Sequence, residues 1–238
     1  MKKIFLTILF LMIFSTSSNA VVNEGKATQY KIVMTYLEMC ETGSTDSVCL
    51  NPVKIGSGES GSIDIANTAA GAAAASYGSL SSLKFGQSYS YMQVTMKRLI
   101  TIAGSVSDGS NTCLTDGDNS DISKNVAGKT TGTASTVSLY IGDTTNGNGD
   151  NVNSIDAGDG TGTAQAVGTI NDTDEYVQFR GPLVAPVILK PGEIPTMTIA
   201  FGTNEALGYS GSSGGCAAAA GEQQGLFGSS PDVTITIK

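Results

Sequence analysis

Hydrophobic positions along this chain recur mostly at every second residue. In TQYKIVMTYLEM (residues 28–39), Tyr30, Ile32, Met34 and Tyr36 fall on one face, and Lys31 and Thr35 fall on the other. The apolar phase then passes to Leu37 and Met39, which predicts a bulge near Tyr36. SYMQVTMKRLITIAG (residues 90–104) repeats the pattern, with Met92, Val94, Met96, Ile100 and Ile102 inward and Gln93 outward. Arg98 interrupts that face, so a twist or bulge is expected there. Shorter strands are marked by Ile63 and Ile65, by Val137, Leu139 and Ile141, and by Val177 and Phe179. PVILK, TMTIAF (Met197, Ile199 and Phe201 inward) and the terminal VTITIK (Val233, Ile235 and Ile237 inward) complete the set.

The pattern gives about eight to ten short strands at the spacing of an all-β domain. Segments rich in Gly, Ser, Asn, Asp and Thr separate them. The fold class read from this is all-β, a single β-sandwich over residues 21–238, with long Gly/Asn/Asp-rich loops and an acidic, loop-rich insert at about 105–175. A jelly-roll arrangement of the same strands is the variant. Only NTAAGAAAASYG (residues 67–78) suggests a helix; Gly71 makes a packed small-residue connection an equal reading. Leu83, Gly86 and Tyr89 stand at the spacing of a tyrosine corner, in which the phenol hydroxyl bonds upstream backbone.

The order YKIVMTYLEM, GSIDIA, LKFGQSYSYMQVTM and ILKPGEIPTMTIAF resembles exported bacterial prealbumin-like, immunoglobulin-like sandwiches of unknown function. The matching pieces lie within residues 28–102 and 183–201, and the acidic insert departs from the pattern. The resemblance implies the sandwich fold and an extracytoplasmic, surface-associated life. It implies no catalytic residues.

The first twenty residues change the picture of compartment. Lys2 and Lys3 precede an apolar run from Ile4 to Phe14, and Ser18-Asn19-Ala20 offers small residues at the cleavage subsites. This reads as a secretory signal peptide, residues 1–20, with Val21 the first mature residue. The run is about eleven residues, short of the ~20 that a span requires, and no membrane span is expected in the mature chain. Export by the general secretory route leaves a periplasmic, cell-surface or extracellular location. The chain carries 13 Lys and Arg against 21 Asp and Glu; losing Lys2 and Lys3 leaves 11 bases and a net charge of −10. Nucleic acid is therefore not an expected partner, because phosphate binding needs clustered bases.

Four cysteines, Cys40, Cys49, Cys113 and Cys216, imply two disulfides in an exported protein, with three connectivities available. CETGSTDSVC encloses turn formers between two strand-like segments, which favours Cys40–Cys49 and hence Cys113–Cys216. Zinc is disfavoured by the absence of CxxC spacing and of histidine.

Catalytic signatures are weak. Gly128-Lys129-Thr130 resembles the end of a P-loop, but the leading glycine position is Ser123. Ser81 and Lys84 form an S-x-x-K pair without the helical domain that serves such a pair. There is no histidine to act as general base and no G-x-S-x-G. Calcium is the one candidate cofactor. GDTTNGNGDNVNSIDAGDGTGT (residues 142–163) offers Asp143, Asp150, Asp156 and Asp159, aided by Asn146 and Asn148, as oxygen donors. Asp116, Asp118 and Asp121 lie just upstream. A helix–loop–helix calcium register fails, with Asn151 where glycine and Ala157 where glutamate should stand, and solvated turns are the favoured reading.

The expected function is a secreted or cell-surface structural or adhesive protein without catalysis, a subunit of an assembly with itself or with other surface proteins. Its first strand or VTITIK would pair with a neighbour's sheet edge. A ligand-binding module for glycan or a calcium-dependent partner is the alternative, and a hydrolase built on carboxylates is the third.

Overall fold

The computed structural model describes residues 21–67, 77–107, 109–118, 125–141, 154–156, 175–193, 195–211, 215–217, 225–229 and 231–238. The expected signal peptide and residues 68–76 of the alanine-rich segment lie outside them. Along the chain come strands β1 (Val21–Ile32), β2 (Met34–Glu41), β3 (Val53–Ser57), β4 (Ile63–Asp64) and β5 (Ser88–Lys97). They are followed by β6 (Leu99–Ser107), β7 (Thr112–Thr115), β8 (Gly128–Lys129), β9 (Val137–Tyr140) and β10 (Ser154–Asp156). The last are β11 (Tyr176–Ile188), β12 (Met197–Gly202), β13 (Leu207–Gly211), β14 (Gly225–Gly228) and β15 (Asp232–Ile237). The protein is all-β, as the period-two pattern predicts, and its strand pairs are antiparallel.

The strands form three sheets. The largest runs β14-β13-β1-β6-β7-β8, with β4 also on β1 and β9 on β6. A five-stranded sheet runs β10-β11-β5-β2-β3, and β12 pairs with β15 in a sheet of two. The first two sheets share their central hairpin. Residues 21–41 run antiparallel to residues 88–107, and the hairpin changes sheet where β1 gives way to β2 and β5 to β6. Val33 and Arg98 are the two breaks, and the Lys97 N–H bonds the Val33 carbonyl at 2.9 Å. The interruption expected at Arg98 is thus a change of sheet partner. Arg98 is 1% exposed, and its Nε donates to the Ile141 carbonyl at 2.7 Å. The bulge expected near Tyr36 lies at Thr35: the register against β5 steps from Met34↔Met96 to Tyr36↔Thr95.

Two apolar clusters form the core. One joins Tyr30, Ile32, Ile100, Ile102, Leu139 and Leu207 of the large sheet with Met34 and Met96 of the five-stranded one. The other lies on one face of the five-stranded sheet, where Leu37, Met39, Met92 and Leu183 meet Met197, Ile199 and Ile235 of the two-stranded sheet. Apolar faces of two sheets meeting in this way are consistent with a β-sandwich. A short 3-10 turn (Leu80–Ser82), capped by the Ser79 side chain, closes one side of that second cluster. The tyrosine corner is present: buried Tyr89 accepts the Lys84 N–H on its hydroxyl at 3.1 Å, and Gly86 (φ 76°) makes the turn between them.

Two expectations about facing need correction. Val233 has the parity of buried Ile235 but is 47% exposed, because it stands near the start of β15 at the mouth of an apolar pocket. Gln93 does point away from the apolar face, yet it does not meet water: it is 0% exposed.

Candidate functional site

The face of the five-stranded sheet opposite the apolar cluster carries a buried polar layer. Cross-strand register aligns Glu38 of β2 with Gln93 of β5, and Gln93 with Arg180 of β11. The next row on that face brings Thr95 beside Gln178. All five side chains are buried. Gln93 is the hub. Its Nε2 donates to Glu38 Oε2 at 2.7 Å, while its Oε1 accepts from Arg180 Nε at 2.9 Å and also from Arg180 Nη2. Gln178 Nε2 donates to Thr95 Oγ1 at 3.0 Å, and Gln178 Oε1 has no partner among the described residues. A buried polar atom without a partner costs about 1–3 kcal/mol, so satisfied neighbours must hold this layer in place.

Charge is balanced across the layer by separation. Burial pushes the Glu38 carboxyl above the usual carboxylate range, against the Gln93 hydrogen bond and the attraction of Lys54 and Arg180. Burial likewise pulls Arg180 down, opposed by Asp46 and Glu38. These side chains are buried, and their geometry fits positioning.

What Arg180 positions is the disulfide loop. Cys40 and Cys49 are bonded, and Arg180 Nη1 donates to the Asp46 carbonyl inside that loop at 2.9 Å. The loop is tied throughout. Ser44 Oγ donates to the Glu41 carbonyl at 2.6 Å and accepts the Leu50 N–H at 3.0 Å. Thr45 and Val48 exchange backbone hydrogen bonds at 2.9 and 3.2 Å, and the Thr42 N–H bonds the Ser88 carbonyl at 2.9 Å. Gly43 (φ 102°) makes the turn, with the Leu50 side chain against it. This rigid loop holds Val48 (49% exposed) and Leu50 (41% exposed) in solvent.

An apolar pocket of about 70 Å³ opens where the three sheets meet. Tyr30 and Ile32 of β1, Val94 and Met96 of β5, Phe179 of β11 and Val233 of β15 line it. Tyr30 turns its hydroxyl to the Ser229 carbonyl at 3.1 Å, and burial raises its pKa. The walls therefore offer a ligand methyl and ring contacts.

The second disulfide is Cys113–Cys216, joining β7 to a late loop whose carbonyl at Cys216 accepts the Gly128 N–H at 2.8 Å. Both bonds follow the favoured pairing, and both are compatible with an oxidising, exported location. Lys129 of the Gly-Lys-Thr triplet pairs with Asp116 at 3.1 Å and bonds Ser135 Oγ at 3.2 Å, which gives each a structural partner. Asp116 Oδ1 also faces the Asp118 N–H at 3.5 Å. Ser81 Oγ lies 2.9 Å from Ser79 Oγ in the capped turn. Of the calcium candidates, Asp143, Asn146, Asn148, Asp150 and Asp159 lie outside the described residues, as does Asp121. Asp156 is in β10, where its Cα faces Val177. Among the described residues no group of three or more acidic, cysteine or histidine side chains could hold a metal. Among them also, no helix is long and apolar enough to cross a membrane.

Compared with known protein families, curated proteins and solved structures, the chain finds no significant match. Polar periodicity alone could have located Glu38, Gln93 and Arg180 on one face; nothing in it signals that the face is buried. Val48 and Leu50 belong to no period at all.

Proposed function

We propose that this is an exported β-sandwich with a structural or adhesive role at the cell surface, acting as a subunit of an assembly. Catalysis has no part in this reading. The observation that supports it most is the two-stranded sheet. Among the described strands, β12 and β15 hydrogen-bond only with each other; β11 lies close against β15, so the edge that no strand occupies is that of β12. Natural edges are usually protected by lysine, proline or bulges within the strand. β12 reads MTIAFG, with no lysine or proline within it and an unbroken register from Met197↔Ile237 to Gly202↔Asp232. Such an edge suits addition of a neighbour's strand. β1 does not share this role, because β13, β4 and β6 already pair with it along its length.

The test is size-exclusion chromatography and electron microscopy of residues 21–238 over a concentration series, together with surface labelling of intact cells. Ordered oligomers, or a surface-exposed protein held in a larger complex, are expected. A monomer at every concentration that is also inaccessible at the cell surface sinks the proposal.

A further inference from the structure

We infer that an acidic oligosaccharide binds along the outer edge of β3, with a sugar carboxylate at Lys54 and a neighbouring ring on Phe85. The inference goes beyond the assembly reading and stands without it, since strand addition draws on β12 and this site on β3.

β3 is the last strand of its sheet, and the chain from Tyr77 to Ser82 runs beside it. The Ser79 N–H bonds the Ile55 carbonyl at 2.7 Å, which fixes that segment to the strand. Between them lies an open cleft of about 460 Å³, lined by Lys54, Gly56, Ser57, Tyr77, Ser79 and Ser82. That size falls within the ~300–1,000 Å³ of small-molecule sites. A Cβ at Gly56 would lie 2.9 Å from the Tyr77 carbonyl oxygen and 3.0 Å from its ring, so glycine lets Tyr77 pack this close to the strand. The Tyr77 hydroxyl donates to the Gly58 carbonyl at 2.6 Å, which holds the ring in place. Walls already fixed lose little conformational freedom on binding.

Lys54 supplies the charge. Its Nζ stands 4.1 Å from the centre of the Tyr36 ring, which steadies a cation without neutralising it. Glu38 is its cross-strand neighbour, but the Glu38 carboxyl takes the Gln93 amide at 2.7 Å. None of the ion pairs among the described residues involves Lys54. A ligand carboxylate would meet it in a charge-assisted hydrogen bond. Ser57 and Ser82 are exposed, and each hydroxyl can both donate and accept.

Each wall group matches part of one ligand class. A hexuronic acid has a carboxylate for Lys54, ring hydroxyls for the serines and an apolar ring face for Tyr77. A neutral sugar would leave Lys54 without its anion, and an apolar ligand would cover the serine hydroxyls without pairing them. A nucleic acid needs clustered bases, which this acidic chain does not offer here.

Ser79 is shared with a second hollow of about 350 Å³, whose apolar wall is Leu80, Leu83, Leu189 and Phe85. Phe85 is 63% exposed, the ring of an aromatic that the core leaves uncovered. A saccharide that continues past Ser79 lays its apolar face there. Glu193 on the far wall accepts from sugar hydroxyls and disfavours a second carboxylate. The ligand is therefore a chain in which an acidic sugar alternates with a neutral one.

Isothermal titration calorimetry on residues 21–238 tests this. The probes are an alternating hexuronate–hexosamine tetrasaccharide, its methyl ester, a single hexuronate and inorganic phosphate. The acidic tetrasaccharide should bind about tenfold or more tightly than the ester, which has lost the charge that Lys54 meets. Lys54→Met should bring the acid down to the affinity of the ester. Lys84→Met removes the same charge from an exposed position outside both hollows and should leave binding unchanged. Phe85→Ala should weaken the tetrasaccharide about threefold or more and leave the single hexuronate unaffected. All three positions are exposed, so melting temperatures should not move; Lys54→Gln replaces Lys54→Met should that variant lose stability. No binding of the acid, equal affinity for acid and ester, or equal losses in Lys54→Met and Lys84→Met would each overturn the inference. So would a Phe85→Ala variant that binds the tetrasaccharide like the wild type, or phosphate that binds as tightly as the acid. None of these outcomes touches the assembly reading, which chromatography and surface labelling judge separately.

Discussion

Gln93 Oε1 accepts two hydrogen bonds from the Arg180 guanidinium, one of them at 2.9 Å, while its own amide donates to Glu38 at 2.7 Å. One amide thus separates a buried cation from a buried anion and satisfies both. The arrangement spans three strands, and through Arg180 Nη1 it continues into the disulfide loop. The centre of the five-stranded sheet is therefore dry on both faces, apolar on one and polar on the other.

Gln93→Asp should accordingly be costly. It removes the donor to Glu38 and sets a second carboxylate beside it. Val94→Asp places a charge between Leu37 and Phe179, its cross-strand neighbours. Both variants should lose about 2–4 kcal/mol in chemical denaturation. Thr198→Asp, on an exposed position of β12, should stay within about 0.5 kcal/mol of the wild type. Gln93→Asp behaving like Thr198→Asp would show that water reaches the polar layer.

Glu38 makes stability depend on pH in a stated direction. Its folded pKa is raised, so the folded state holds that proton at pH values where the unfolded chain has released it. The stabilisation it gives is complete below the unfolded value near 4.5 and is lost as pH rises through the folded one. Glu38→Gln keeps an acceptor for Gln93 and removes the titration. The melting temperature of the variant relative to wild type should therefore climb between pH 4 and 7 as the chosen range. A difference that is flat, or that falls, would place the raised pKa elsewhere.

The strands were legible because apolar residues at every second position bury one face, and a slip in that period marks a bulge, as at Thr35. Arg98 was legible as an interruption; that Val33 faces it at a change of sheet was not, since no local pattern encodes which sheet a strand enters. The polar layer was hidden for a related reason. Glu38, Gln93 and Arg180 read as solvent-facing, and their burial depends on partners 55 and 87 positions away. Val233 shows the opposite failure: its parity is inward, but the layer it faces ends before it.

The two disulfides should contribute unequally. Loop closure over the 9-residue separation gives about 2.7 kcal/mol and over 103 about 4.7 kcal/mol, in the chain-entropy account. Mass spectrometry of non-reduced peptides should recover both linkages. Cys113→Ser/Cys216→Ser should be the less stable variant. The short loop adds a coupling: with Cys40→Ser/Cys49→Ser in place, Arg180→Met should cost less than in the wild type, because the Asp46 carbonyl is no longer held against it. Strictly additive losses would mean that the disulfide and the arginine clamp act independently.

The hairpin shared by two sheets depends on how closely β1 approaches β6. A Cβ on Gly104 would lie 2.2 Å from the Lys26 carbonyl oxygen and 2.9 Å from the Ala27 Cα. Both are backbone atoms, so no side-chain rotation relieves the contact, and the strands must part. Gly104→Ala should therefore cost at least about 1–3 kcal/mol, the range for overpacking, and further weaken the Ala27↔Gly104 pairing beside the register shift. Gly181 is the control. It is also a strand glycine, yet a Cβ there meets nothing within 4 Å and its φ is not left-handed. Gly181→Ala should be neutral or stabilising by about 0.4–1 kcal/mol through the unfolded chain. Urea melts of the two variants read the difference directly. Equal midpoints would mean that β1 and β6 pair with room to spare, and that the close approach at Gly104 is not a constraint on the fold.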